Sequence, residues 1–255
     1  MNHSMQSAFG NCLALALVSM VMLSFAPAEA KDAQETELRL LILTGGHEFE
    51  REEFFTMFHR FKNVRIIESK HPEANTWFTS DRAELYDVLV FYDMMQVISP
   101  EQKDAFVKLL EKGKGAVFLH HSIASYQDWD EFEKILGGRY YLKPYEANGQ
   151  QHPGSTYKHD VDLKVHIEDT DHPVTKGMKD FKIHDEVYNG FFVQPNMHPL
   201  LSTDHPKSGK IIGWSHQYGA SRIVYLQLGH DHSAYQNKNF QGLVEQSVKW
   251  VAGKE

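Results

Sequence analysis

The sequence contains a single cysteine, Cys12, among its 255 residues. One thiol excludes a disulfide framework, and it also excludes zinc or iron–sulfur sites built from several cysteines. Positive charge is scarce as well, because 26 Lys and Arg residues stand against 34 Asp and Glu residues, for a net charge of -8. A protein that binds a nucleic-acid backbone needs a basic surface, so we expect no nucleic-acid partner.

Apolar runs long enough to cross a membrane are also missing. The longest run, from Cys12 to Phe25, is followed by Ala28-Glu29-Ala30, which has the small-x-small pattern of a signal-peptide cleavage site. We therefore expect residues 1–30 to be a signal peptide cleaved after Ala30, which predicts a periplasmic or secreted protein with no membrane span after cleavage. The alternative is an uncleaved amino-terminal anchor. Cleavage removes Cys12 and leaves the mature chain without a thiol nucleophile.

Buried strands and amphipathic helices alternate after the leader. The predicted strands cover residues 38–44, 64–68, 87–92 and 116–119, and the predicted helices cover 49–61, 128–136 and the segment from the capping residue Ser99 to Gly113. This order predicts a single α/β domain with a mainly parallel sheet covered by helices on both faces. Residues 139–215 are predicted to be an irregular insertion before a last strand (222–228) and a last helix (240–250).

Histidine is the unusual residue, with 16 copies, and it is the side chain best suited to metal ligation and proton transfer near neutral pH. Ligands of such sheets bind at the carboxyl ends of the strands. Three predicted strands end at His47-Glu48, at His120-His121 and at His230-Asp231. We expect His47, His121 and His230 to serve in one site. Because neighbouring residues of a strand point in opposite directions, we expect one of His120 and His121 to be structural.

The remaining candidates lie in the predicted insertion. Residues 184–188 combine a histidine, two carboxylates and a phenol, and Asp185 and Glu186 point to opposite faces of an extended segment. Glu186, with His184 and Tyr188 on its side, is the preferred site residue; the alternative is a solvated acidic turn. Trp214 is either a platform for a sugar ring or a core aromatic. Five other histidines are expected at the surface: His59, His71, His159, His166 and His216.

Several motifs, in the expected order, resemble the ThuA-like (trehalose-utilisation) family. They are Gly45-Gly46-His47-Glu48-Phe49, Phe118-Leu-His-His-Ser122, Ile135-Leu-Gly-Gly138, His172-Pro173-Val-Thr-Lys-Gly177, Asp185-Glu-Val-Tyr188, Trp214 and the segment from Tyr218 to Asp231. The resemblance covers residues 38–253 and implies a flavodoxin-like sheet similar to class I glutamine amidotransferases. In those enzymes a cysteine occupies the turn that here holds His120-His121-Ser122. The mature chain lacks that thiol, which excludes glutaminase chemistry, and Ser122 lacks the G-x-S-x-G elbow of a serine hydrolase.

The resemblance also implies a small-molecule carbohydrate as the partner. ThuA-like proteins are associated with sugar catabolism, including pathways in which a glycoside is first oxidised to a 3-keto sugar. A keto group acidifies the neighbouring C–H bonds, so isomerisation or elimination needs a base and an electrophile for the enolate oxygen. We therefore expect an exported enzyme that acts on glycosides or 3-keto sugars by histidine acid/base chemistry. The alternative is a non-catalytic sugar-binding protein on the same scaffold.

These expectations assign roles to ten residues. The predicted catalytic residues are His121, His230, Glu186 and His47. The predicted substrate-binding residues are Glu48, His120, Asp185, Tyr188, Trp214 and Asp231. No cofactor is required by the sequence, and a divalent metal stays open, with His47, His121 and His230 as its candidate ligands. Zinc needs three or four ligands at fixed geometry, and the nearest local motif is His230-x-His232.

Overall fold

The computed structural model describes residues 37–79, 81–147 and 149–254. The predicted signal peptide, residues 1–30, therefore lies outside the described residues. Within the described ranges, every helix is too short or too polar to cross a membrane.

The described chain forms strands β1 to β13 and α-helices α1 to α5. The strands are β1 (Leu38–Gly45), β2 (Val64–Lys70), β3 (Val88–Asp93), β4 (Ala116–Leu119), β5 (Gly138–Arg139), β6 (Tyr145–Ala147), β7 (Gln150–His152), β8 (Thr156–Ile167), β9 (Phe181–Asn189), β10 (Phe192–Val193), β11 (His198–Ser202), β12 (Ile211–Tyr218) and β13 (Ser221–Leu226). The helices are α1 (Arg51–Phe58), α2 (Pro100–Glu111), α3 (Asp130–Leu136), α4 (His232–Gln236) and α5 (Lys238–Val251).

Nine of these strands form one sheet in the order β2-β1-β3-β4-β13-β12-β11-β8-β9. The first five run parallel, and β1, β3 and β4 are almost purely apolar because both faces of the sheet are covered there. The other four pair antiparallel. The α/β architecture predicted from the sequence is confirmed.

The predicted irregular insertion is more regular than expected, because it supplies β8, β9, β11 and β12 of the main sheet. Exposed and buried residues alternate along the second half of β8 and the first half of β9, as expected for strands with one solvated face. The many polar side chains of that solvated face make the segment look irregular in the sequence.

Two apolar layers cover the parallel half of the sheet. Alternate residues of β1 enter opposite layers, since the side chains of a strand point alternately to its two faces. Leu40 and Ile42 pack with residues of α1 and α5, and Leu41 and Leu43 pack on the side of α2 and α3. The predicted start of α2 is confirmed, because Ser99 forms a reciprocal capping box at its amino terminus. The helices thus fix the strands and leave the loops at the strand ends to form a site.

Candidate functional site

A glycine pair after β1 brings His47 to the carboxyl edge of the sheet. Gly45 and Gly46 have φ angles of +113° and +80°, which side chains rarely adopt. A Cβ atom on Gly46 would also lie 2.6 Å from the carbonyl of Met94, in the segment after β3. The turn therefore packs against that segment only with glycine, and it presents His47, whose ring stacks on His121 at a centroid distance of 4.7 Å.

The turn after β4 sends two adjacent imidazoles in different directions. His120 has φ +50° and begins a 3-10 turn, His120–Ala124. Its left-handed backbone is held by two long-range hydrogen bonds: its Nδ1 lies 2.7 Å from the carbonyl oxygen of Gln227, and its own carbonyl accepts from the hydroxyl of Tyr225 at 3.1 Å. The rings of His120 and His121 are nearly perpendicular, at 81°. A strained backbone retained this way is typical of functional sites.

His120, Glu186 and His230 form a compact cluster. The Nε2 atom of His120 lies 2.9 Å from Oε2 of Glu186 and 3.3 Å from Nδ1 of His230, and that nitrogen lies 3.3 Å from the same carboxylate oxygen. The hydroxyl of Tyr188 lies 2.8 Å from Nε2 of His120. The other oxygen of Glu186 lies 3.2 Å from Nδ1 of His159. The cluster therefore joins the ends of β4 and β13 to the strands β8 and β9.

The cluster keeps the Glu186 carboxylate ionised. Burial alone raises the pKa of Glu186, but the hydrogen bonds from His120 and His230 outweigh burial and bring that pKa well below its usual value. The same hydrogen bond to Glu186 raises the pKa of His230 above its usual value. Burial raises the pKa of Tyr188 far above the physiological range, so its hydroxyl stays protonated.

His121 has a different environment. Its side chain is buried, and burial lowers the pKa of its imidazole well below the usual value, with the neighbouring His120 and His47 rings lowering it further. Its ring has a backbone hydrogen bond to Tyr92, whereas its Nε2 atom is buried and has no hydrogen-bond partner among the described residues. The neutral ring carries a lone pair on Nε2 that can accept a proton, although its lowered pKa makes it a weaker base than an exposed histidine.

His121 and part of the cluster line one pocket of about 180 Å³, whereas His120 and His230 are not among its lining residues. Its polar lining consists of His47, His121, His159, Glu186 and Tyr188. Its other lining residues are Met94, Ala124, Tyr140, Leu142 and Tyr157. The volume lies below the ~300–1,000 Å³ of pockets for drug-sized ligands, so it suits a small ligand such as one sugar ring. A larger depression of about 680 Å³ beside α2 contains none of the candidate residues.

Asp185 supports the site without entering the pocket. Its carboxylate accepts backbone N–H groups from Gly229 at 2.8 Å, His230 at 2.9 Å and Glu186 at 2.8 Å. Burial raises the pKa of Asp185, and these N–H donors oppose that rise. The hydroxyl of Tyr92 donates to the carbonyl of Gly229 at 2.7 Å. Asp185 is therefore a positioning residue for the loop that carries His230.

Three predicted substrate-binding residues lie elsewhere. Trp214 is fully buried, and its indole N–H donates to the carbonyl of Leu136 at 2.8 Å, so it is a core residue and has no exposed ring for a sugar. Asp231 caps α4 by accepting from the N–H of Ser233 at 2.8 Å. Glu48 is exposed and does not line the pocket.

His184, predicted on the side of Glu186, also stays outside the pocket. It is exposed and pairs with Asp162 at 2.8 Å. Its face of β9 is open to solvent at His184 and is covered by His120 and His230 only at Glu186.

Of the histidines predicted at the surface, His159 is exposed as expected and also lines the pocket, whereas His71 is buried. His159 lines the pocket at a bulge of β8, where Asp160 has φ +55°, and the sequence carries no signal for this bulge. His71 is buried, with its Nε2 2.7 Å from Oδ2 of Asp93. The strand-end rule finds His71 once β2 is extended to Lys70, two residues past its predicted end.

The group of side chains that could bind a metal differs from the predicted one. Among the described residues, His120, Glu186 and His230 offer ligand atoms within 4.8 Å of one another. His230 was one of the predicted ligands. His47 and His121 stack on each other outside this group, so its other two members are His120 and Glu186.

Comparison with known proteins shows the family of the chain. The family model described as ThuA, trehalose utilisation, matches residues 39–251. The chain belongs to the ThuA family. This confirms the resemblance seen in the sequence. A search of the curated proteins finds no match to the chain.

Two solved structures share the fold of the chain. A ThuA-like protein from Parabacteroides merdae matches with a TM-score of 0.68 and 20% identity, over 85% of this chain and 90% of that one. A ThuA-like protein from Bacteroides uniformis matches with a TM-score of 0.65 and 20% identity, over 88% and 94% of the two chains. A glutamine amidotransferase from Thermotoga maritima matches with a TM-score of 0.49 and 12% identity, over 85% and 98%. At these identities the first two likenesses show the fold alone.

Proposed function

We propose that this ThuA protein is an enzyme of carbohydrate catabolism that abstracts a proton next to the keto group of a 3-keto glycoside, with His121 as the base. The observation that carries the proposal is the Nε2 atom of His121, which is buried beside the pocket and has no hydrogen-bond partner in the part of the chain that the structure describes. A buried polar atom left unpaired costs free energy, so such an atom points to a ligand that pairs with it. His47, stacked on the ring, holds the imidazole in place.

The proposed step balances as an elimination. His121 takes the proton from C2, the C–H electron pair forms the C2–C3 double bond of an enolate, and the negative charge moves to the C3 oxygen. The enolate then re-forms the ketone and expels the C1 substituent, whose oxygen takes a proton. The products are a free alcohol or sugar and an unsaturated keto sugar.

The enolate oxygen needs a positive or hydrogen-bonding group to stabilise it. The hydroxyl of Tyr188, which lines the pocket with Glu186, stays protonated and can donate to that oxygen. The exposed ring of Tyr157 at the pocket supplies an aromatic face for a sugar ring. The pocket thus provides a base, polar groups and an aromatic surface for a sugar ring.

The test is incubation of the purified protein with a panel of glycosides and their 3-keto derivatives, followed by mass spectrometry. We expect new products from 3-keto glycosides and none from the parent glycosides. The variant His121→Ala should lose this activity, whereas His232→Ala, a control at an exposed histidine that pairs with Glu50, should keep it. Binding without any product, in wild type and variants alike, would contradict the enzyme proposal and favour the sugar-binding alternative.

Export of the protein is part of the same proposal. Its support is the apolar run before Ala28-Glu29-Ala30. Amino-terminal sequencing of the protein from cells should find Lys31 as the first residue. A cytoplasmic protein that begins at Met1 would contradict it.

A further inference from the structure

The cluster of His120, Glu186 and His230 places three electron-pair donors face to face. The Nδ1 atom of His120 lies 2.7 Å from the carbonyl oxygen of Gln227, which can only accept, so Nδ1 carries the hydrogen. Nε2 of His120 lies 2.9 Å from a carboxylate oxygen of Glu186, which only accepts, so either a proton or a metal ion bridges the two atoms. The hydroxyl of Tyr188 lies 2.8 Å from the same nitrogen.

The spacing of the three ligand atoms is compatible with a bound metal ion. The three ligand atoms are separated by 2.9, 3.3 and 3.3 Å. Tetrahedral zinc, with bonds of about 2.0–2.1 Å, separates its ligand atoms by about 3.3–3.4 Å. The triangle of ligand atoms therefore already has nearly the size of one face of a zinc tetrahedron.

The surroundings of the three ligands match those of a metal centre. Metal-binding histidines usually donate their second ring N–H to a carbonyl or carboxylate, as His120 does to Gln227. Ligating carboxylates are usually hydrogen-bonded by neighbouring side chains as well. The second oxygen of Glu186 lies 3.2 Å from Nδ1 of His159. Glu186 lines the pocket, so a fourth position on the metal would face the space where a substrate binds.

We propose that His120, Glu186 and His230 bind a divalent transition metal of the zinc type, with an open fourth position toward the pocket. Two imidazoles and one carboxylate favour zinc and similar ions over magnesium or calcium, which prefer oxygen ligands alone. Such an ion polarises a carbonyl oxygen bound to it, which also stabilises the enolate oxygen of the step proposed above. The metal site does not depend on the sugar chemistry, because its test needs no substrate.

The experiment measures metal binding to the full chain produced without an affinity tag. Metal content is determined by mass spectrometry of the purified protein, and metal-stripped protein is titrated with Zn²⁺ by calorimetry and with Co²⁺ by visible absorption. We expect one equivalent of Zn²⁺ per chain and the intense visible bands of tetrahedral Co²⁺. Failure to bind either ion at micromolar concentration would overturn the proposal.

Two variants and a matched control assign the ligands. His230 has a partly exposed side chain, and Glu186→Gln keeps the shape of the buried residue. We expect His230→Ala and Glu186→Gln each to weaken Zn²⁺ binding at least about 100-fold, since even outer partners of a metal site cost 10–100-fold. His232→Ala, two residues away at the first residue of α4, should bind as the wild type does. If either folded variant binds Zn²⁺ as tightly as the wild type, or if His232→Ala loses binding equally, the assignment is overturned.

Discussion

Asp185 and His230 are joined by a hydrogen bond that positions the loop carrying His230. The carboxylate of Asp185 accepts the backbone N–H of His230 at 2.9 Å, across 45 residues of chain. The next residue of β9, Glu186, lies 3.3 Å from the imidazole of the same histidine. One short segment of β9 therefore positions both the backbone and the side chain of His230.

Replacing Asp185 by Asn should loosen the loop that carries His230. An amide accepts with one oxygen only, so at least one of the three N–H groups loses its partner, at a cost of about 1–3 kcal/mol for a buried group. We expect a lower free energy of unfolding in urea and faster hydrogen exchange at Gly229 and His230. Asp162→Asn, at an exposed partner of His184, is the control and should change neither. Unchanged exchange in Asp185→Asn would contradict the positioning role.

Trp214→Phe should reduce stability and leave the sugar kinetics intact. The change removes the N–H donor to the carbonyl of Leu136 and shortens a fully buried ring, for an expected loss of about 1–3 kcal/mol. Unfolding in urea and the KM of the folded variant measure the two effects separately. A raised KM with unchanged stability would instead place Trp214 in the substrate site.

Tyr157→Ala should have the opposite effect: a raised KM with little change in stability. Tyr157 is 61% exposed and lines the pocket, so its loss should raise KM by about 2- to 10-fold, because an aromatic contact contributes ~0.5–1.5 kcal/mol. The free energy of unfolding should change by less than about 0.5 kcal/mol, as for other exposed residues. Leu85→Ala, an exposed apolar residue outside the pocket lining, is the control. An unchanged KM in Tyr157→Ala would contradict a role of Tyr157 in binding the sugar.

His216 should make the protein less stable as the pH falls. Burial lowers the pKa of its imidazole, whose hydrogen bonds are to backbone groups, with Nε2 2.9 Å from the carbonyl of Ile135. In the unfolded chain His216 has a pKa near 6.5, so it takes up a proton at a higher pH there than in the folded protein. The stability that the neutral, buried ring contributes is therefore complete above about pH 6.5 and is lost as the pH falls through that value. Urea unfolding at pH 7 and pH 5 should therefore show a larger loss in the wild type than in His216→Gln, which keeps an N–H donor. Equal losses in both proteins would contradict the prediction.

The sequence predicts the parts of the site that follow from strand ends. His47, His120, His121 and His230 come directly after buried apolar strands, and the carboxyl ends of parallel strands meet at one edge. Glu186 follows from the alternation of its segment. These rules depend only on local pattern, which is why the sequence alone can place these residues near one another.

The remaining features depend on tertiary structure. His159 reaches the pocket through a bulge with a positive φ at Asp160, which no local pattern indicates. Trp214 has the same aromatic ring in a core as in a binding site, and only its neighbours decide between the two. The sequence does not reveal β8 and β9 as strands, because the side chains on their solvated face are polar.

Proton abstraction by His121 is the central claim, and an isotope measurement tests it most directly. A 3-keto glycoside labelled with deuterium at C2 is incubated with the wild-type protein and with His121→Ala, and the products are weighed by mass spectrometry. The account predicts that the wild-type protein releases an unsaturated keto sugar without the deuterium, and that His121→Ala forms none of it. Cleavage by the wild-type protein that retains deuterium at C2 would contradict the account.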